Sequence, residues 1–163
     1  MNPNQHVAQL NIGRFRYATD DPRMADFMNN LDLVNAIAER SAGFVWRLKD
    51  DSGNATSFRP FPDPRMAVNL TVWENVEALE RYVYQTVHKR FYGRREEWFD
   101  KLDRPHFVMW WIPAGHLPTL SEAKERLDYL AAHGPSDRAF GWESAPAAQL
   151  WKTARCAPAG QAA

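Results

Sequence analysis

Met66-Ala67-Val68-Asn69-Leu70-Thr71-Val72-Trp73 is the stretch on which the fold turns. Its residues alternate with period two, so Met66, Val68, Leu70 and Val72 share one wholly apolar face. Ala67, Asn69, Thr71 and Trp73 share the other, which is mixed polar and aromatic. Such a strand belongs in a sheet whose two sides meet different surroundings.

The same alternation recurs on both sides of it. Val7 to Arg16 sets Ala8, Leu10 and Ile12 against Gln9, Asn11 and Gly13, and Phe44 to Lys49 sets Phe44, Trp46 and Leu48 against Arg47 and Lys49. Downstream, Pro105 opens a last strand, His106 to Ile112, which carries Trp110 and Trp111. Helices fill the gaps. Asp21-Pro22 reads as N-cap and first helical position, because proline lacks the N–H that would be orphaned there. Met24, Phe27, Met28, Leu31, Val34, Ile37 and Ala38 follow at helical spacing, up to Gly43. Asn75 caps a second helix with Val76, Leu79, Val83 and Val87 as its buried stripe, and Arg94 to Leu102 reads as a further helical stretch. Thr119 and Glu122 make a capping box for a third helix, faced by Leu127, Leu130 and Ala131 and stopped by Gly134-Pro135. Phe140 to Trp142 reads as a short edge strand.

Strand–helix–strand, twice over, predicts an α+β fold. It is a ferredoxin-like split βαβ with a four-stranded antiparallel sheet, both helices on one face, and an extra C-terminal helix. The mixed face carrying Asn69 and Trp73 is then expected to be bare. An aromatic patch of about 500 Å² is not left in water by a monomer, so a homodimer is expected, a dimeric αβ barrel with a cavity between or within its subunits. Residues 1–154 read as a single domain and 155–163 as a flexible tail. Asp50 to Arg65 reads as a proline-broken loop, either a hairpin connection or a flap.

The 163 residues carry 20 Lys+Arg against 20 Asp+Glu, a formal net charge of zero. That balance argues against nucleic acid and against a membrane surface as partner. Cys156 is the only cysteine, so no intrachain disulfide forms. No signal-peptide layout opens the chain, and Phe107 to Ala114, the longest apolar stretch, is too short to span a bilayer. A cytoplasmic protein is expected. Seven Trp, nine Phe and five Tyr exceed what a core of this size needs, and serve either a ligand cavity or an aromatic core and interface.

No phosphate-cradling glycine loop, zinc helix or nucleophile elbow is present. His6, His88, His106, His116 and His133 are scattered, so no metal site is expected. Tyr84 and His88 lie four apart on a helical face, beside Arg94 and Arg95. As catalytic candidates, Tyr84 and His88 could orient and deprotonate a phenol-like or enol-like substrate while Arg94 steadies the anion. The plainer alternative has His88 closing the helix and the arginines paired with Glu96, Glu97 or Asp100. Asn69 and Trp73, about 13 Å apart along their strand, project toward the expected cavity. Trp110, Trp46 and Asn11 complete the candidate substrate-binding set.

The run Val68 to Leu79 with His88 downstream resembles the strand–helix unit of the antibiotic-biosynthesis monooxygenase superfamily. Four further motifs resemble a bacterial family known as a domain of unknown function, DUF3291. They are Tyr84-x-x-x-His88, Arg94-Arg95-x-x-Trp98-Phe99, Trp110-Trp111-Ile112-Pro113-Ala114-Gly115-His116-x-Pro118-Thr119 and His133-Gly134-Pro135. The resemblance covers about Val7 to Trp142. It implies a dimeric αβ barrel in which Asn69 and Trp73 hold a polyphenolic substrate for cofactor-free attack on dioxygen. The tyrosine expected shortly after the tryptophan is not matched, since Leu79 stands near there. Haem-binding relatives imply His88 as an axial ligand. The leading expectation is a small-molecule enzyme on an aromatic or polyketide-like substrate, by cofactor-independent oxygenation or proton-transfer rearrangement. The alternatives are a haem protein and a non-catalytic small-ligand-binding dimer.

Overall fold

The computed structural model describes residues 2–49, 60–86 and 88–145. Most of the Asp50 to Arg65 loop, Val87, Cys156 and the 155–163 tail lie outside the described residues. In chain order the elements are β1 (Gln5–Phe15), a 3-10 turn (Pro22–Met24), α1 (Ala25–Arg40), β2 (Phe44–Arg47) and β3 (Met66–Trp73). Then come α2 (Val76–Gln85), α3 (His88–Gly93), α4 (Arg95–Trp98), β4 (Phe99–Asp100), β5 (Phe107–Pro113), α5 (Leu120–His133) and a final 3-10 turn (Trp142–Ser144).

The long strands run β2-β3-β1-β5, each antiparallel to its neighbour, which is the ferredoxin-like split βαβ order. The short β4 adds to the end of β1, placing Phe99 opposite Phe15. Along the central pair, Val7 faces Trp73, Gln9 faces Thr71 and Asn11 faces Asn69. The caps are where the sequence put them. Asp21 accepts from the Arg23 N–H at 2.9 Å, Asn75 from Ala78 at 2.8 Å and Thr119 from Glu122 at 3.1 Å. Gly134 ends α5 at a φ of 76°, a region that side-chain-bearing residues rarely adopt; α1 ends earlier than expected, at Arg40 with Ser41 as its cap, and Gly43, at a φ of 84°, turns the chain into β2. The expected edge strand Phe140 to Trp142 is reduced to a single bridge: Phe140 exchanges hydrogen bonds of 2.7 and 3.0 Å with Met109, and Trp142 already opens the final 3-10 turn.

Three expectations are corrected. First, the mixed face is not bare. Val7, Trp73 and Met109 lie in one cluster with Ala38 of α1 and Leu79, Tyr82 and Val83 of α2. Second, the opposite face is covered as well. Ala8, Leu10, Val72, Val108 and Trp110 pack against Ala123, Leu127 and Leu130 of α5. A wholly aliphatic stripe announces complete burial but not which helix buries it. Here the mixed face meets the aromatic helix α2, and the aliphatic face meets the leucines of α5. The reason given for a second copy, an uncovered sheet face, therefore falls away.

Third, Arg94 to Leu102 is not a helix. α4 stops at Trp98, and Phe99–Asp100 turn into the sheet. The cause is a gap at Gly13, where a Cβ would sit 2.5 Å from the Phe99 ring. The missing side chain lets that ring lie on the strand, 5.3 Å from both Phe15 and Phe27.

Leu127 of α5 is fully buried against the sheet. Substitution Leu127→Ala is expected to cost about 2–5 kcal/mol in urea unfolding, through lost transfer energy and the cavity left behind. A change below about 0.5 kcal/mol would show that α5 does not seal this face.

Candidate functional site

Between the sheet and its covering helices the mixed face carries polar groups that no water can reach freely. Gln9 is 2% exposed and Thr71 4% exposed, and Asn69 and Asn11 are half-buried at the next pair along. The Gln9 Nε2 donates to Asn69 Oδ1 at 2.8 Å and to Thr71 Oγ1 at 2.7 Å. The Trp73 indole N–H also donates to Thr71 Oγ1, at 2.9 Å. Diagonal and direct cross-strand neighbours on one face meet at these distances, so the register alone assembles the cluster. Gln9 Oε1 is buried and has no hydrogen-bond partner among the described residues.

A second, aromatic series continues from Trp73. Its ring stacks on Tyr82 at 5.2 Å, Tyr82 meets the His88 imidazole at 5.0 Å, and His88 stacks on Tyr92 at 6.3 Å. The Tyr82 hydroxyl donates to the Val34 carbonyl of α1 at 3.1 Å, which anchors the series to both helices. Burial pushes the Tyr82 and Tyr84 phenols well above their ordinary range, so both stay neutral. His88 Nδ1 lies 3.3 Å from the Val83 carbonyl. A carbonyl only accepts, so Nδ1 carries the proton and Nε2 keeps its lone pair. Desolvation lowers the His88 pKa to about 4, against the opposing pull of that carbonyl, and the ring is uncharged at neutral pH.

The residues expected to form the site are thus partly brought together and partly separated. Asn69, Trp73 and Asn11 share the sheet–helix interface, and His88 reaches it through Tyr82. Tyr84 does not pair with His88. The helix breaks after Gln85, where Thr86 turns extended and its hydroxyl bonds back to the Tyr82 carbonyl, so the four-residue spacing no longer places the two on one face. Tyr84 packs instead on Tyr92 and Trp142. Arg94 points away. It is bound to Glu97 at 2.6 Å and to Asp26 at 3.0 Å, and lies 4.7 Å over the Trp98 ring. Trp46 and Trp110 lie on the other face of the sheet, and the Trp110 indole donates to Glu122 at 3.0 Å. They cannot line one pocket with Asn69 and Trp73. The sequence reading does not place Gln9, Thr71 or Tyr82 in the site; the available signal is the polar set Gln9, Asn11, Asn69 and Thr71 on facing sides of two strands.

As a haem ligand His88 would offer the Nε2 lone pair, with its ring held by Tyr82 and Tyr92 packed against it. No group of three metal-ligating side chains occurs among the described residues, and none of the described helices is long and apolar enough to cross a membrane.

The geometry defines a ferredoxin-like α+β protein with a polar seam beneath its helices and a neutral histidine at the seam's end. The chain belongs to the family described as a domain of unknown function, DUF3291, whose model matches residues 6–156. No curated protein matches it. Among solved structures it is similar to SnoaB, a cofactor-independent oxygenase from Streptomyces nogalater. The identity is 19% and the TM-score 0.45, over 72% of this chain and 99% of that one. It is also similar to a conserved protein from Methanosarcina mazei Go1, with 12% identity and a TM-score of 0.46 over 68% of this chain and 94% of that one. A protein of unknown function from Nitrosomonas europaea shows 10% identity and a TM-score of 0.43, over 72% of this chain and 99% of that one.

The lowered His88 pKa makes stability depend on pH. The unfolded chain binds a proton at His88 from about 6.5 downward, whereas the folded chain does so only near 4. Stability is therefore full above pH 6.5, falls as the pH drops toward 4 and levels below it. The loss is on the order of 3 kcal/mol. His106, lowered by desolvation and by Arg95, adds a slope of the same sign. Denaturation of His88→Gln and the native chain between about pH 4 and 7 should show the extra slope in the native chain only.

Proposed function

We propose that this chain is a small-molecule enzyme acting without a cofactor on an aromatic or polyketide-like substrate. Asn69 positions the substrate, and the neutral His88 takes a proton from it. Proton abstraction is the step that cofactor-independent oxygenation and cyclisation share. It leaves an electron-rich enolate or phenolate, which either gives electrons to dioxygen or closes on a carbonyl of the same molecule.

The observation that carries this reading is His88 itself. It is a half-buried, uncharged imidazole whose Nε2 lone pair meets no hydrogen-bond donor among the described residues. It stands at the end of a continuous series of contacts running from Asn69 through Gln9, Thr71, Trp73 and Tyr82. A histidine held neutral by desolvation is a weak base until an anion forms beside it. The same low dielectric then strengthens the attraction between imidazolium and phenolate, and the proton moves with its counter-charge already in place. Arg94 has no part in this, because its guanidinium is bound to Glu97 and Asp26. Tyr84 is one ring removed, and supports Tyr92 rather than the substrate.

With 1,4-dihydroxynaphthalene as probe, the native chain should accelerate oxygen uptake over buffer, and His88→Ala should slow it by about 100-fold or more. Asn69→Ala should raise the KM and lower kcat while the thermal transition stays within a few degrees. A native chain that neither consumes oxygen with this probe nor shows a shifted His88 imidazole resonance on adding it ends the proposal.

A further inference from the structure

Resting on that reading, in which the Asn69 amide meets the ligand, we infer that Gln9 is the positioning residue that decides which end of that amide is presented. Asn69 Oδ1 is taken up by Gln9 Nε2 at 2.8 Å, so the Asn69 NH₂ is the end left for a ligand. The feature read is then an acceptor oxygen on the ligand.

The direction of the series is set at the Asn69 backbone carbonyl, which can only accept and lies 3.5 Å from Gln9 Nε2. Thr71 Oγ1 accepts from the Trp73 indole N–H at 2.9 Å and from the same Gln9 nitrogen at 2.7 Å. Reversing the Gln9 amide would set Oε1 against that carbonyl and, with Asn69 as it stands, against Asn69 Oδ1. The observed orientation carries its own cost, a buried Oε1 with no partner among the described residues. An amide that leaves its own acceptor unpaired while satisfying its neighbour's is held for the neighbour's orientation.

Two variants test this, with 2-acetonaphthone as a probe that offers an acceptor oxygen and no donor. In Gln9→Glu the introduced carboxyl is buried, and its pKa rises toward neutrality. Below that pKa its O–H donates to Asn69 Oδ1, as the amide does. Above it the carboxylate only accepts, Asn69 turns round, and the ketone meets an oxygen. Probe binding by this variant should match the native chain at low pH and fall about tenfold at higher pH. The native chain should stay flat between about pH 5 and 8.

The titratable and charged side chains packed over or beside this part of the sheet are Glu80, Tyr82 and Tyr84 of α2 and His88 and Tyr92 of α3, with Arg47 of β2 near Tyr82 and Arg95 of α4 near Tyr84 and His106. α1, β3 and β5 contribute Ala38, Asn69, Thr71 and Met109, which do not titrate. All of these are common to both proteins, so the difference in profile reports position 9. Gln9→Leu should weaken binding about tenfold at every pH and bring the Asn69 side-chain amide into exchange between two orientations by NMR. A flat profile in Gln9→Glu, or unchanged affinity in a folded Gln9→Leu, overturns this inference alone. A native chain that does not bind the ketone overturns it together with the role of Asn69.

Discussion

Over Val7 to Leu10 the strand β1 is buried on both faces, so a polar group there has no side on which to reach water. It is paired on both edges, lies under α1 and α2 on one face, and lies under α5 on the other. Every buried odd residue along it must find its partners inside the protein. Val7 and Phe15 do so by packing, and Gly13 by yielding its space to Phe99. Gln9 needs hydrogen bonds, and only β3 can supply them. The polar seam of Asn69, Thr71 and Trp73 is the answer of the neighbouring strand to that demand.

The layout gives the site an unusual economy of charge. The arginines near its mouth are engaged elsewhere, Arg94 with two carboxylates and Arg95 with the Tyr92 carbonyl and ring. What remains at the interface is amides, a hydroxyl, an indole, phenols and a neutral imidazole, with the carboxyl of Glu80 buried on α2 beside Tyr84. The neutral groups exert short-range, directional influence, unlike a guanidinium, whose field reaches further. Orientation then matters more than net charge, and orientation is what the Trp73–Thr71–Gln9 series supplies.

Much of this was legible in the chain itself. Period-two alternation located the four long strands, and Asp21, Asn75, Thr119 and Gly134 marked helix ends, because caps are local chemistry. The order of elements implied the split βαβ sheet. What could not be read was which helix takes which face, since Ala8, Leu10 and Val72 pack as well under α5 as they would under α1. The break at Thr86 was equally hidden, because the spacing of Tyr84 and His88 fits a helix until a hydroxyl competes for the backbone. Glu122 shows the same limit. It stands at the capping-box position, yet its side chain serves the Trp110 indole and His116 instead. Helix 94–102 failed because Phe99 answers to a gap eighty-six residues earlier in the chain.

The α5 cover also sets the order of events during synthesis. On the ribosome the aliphatic side of the sheet emerges with β1 and β3, and its lid, residues 120–133, leaves the exit tunnel only after nearly all the sheet has been made. At roughly 5–20 residues per second, the nascent chain carries an open oily surface for several seconds before it can close. Over that interval the polypeptide is a natural client for a holding chaperone.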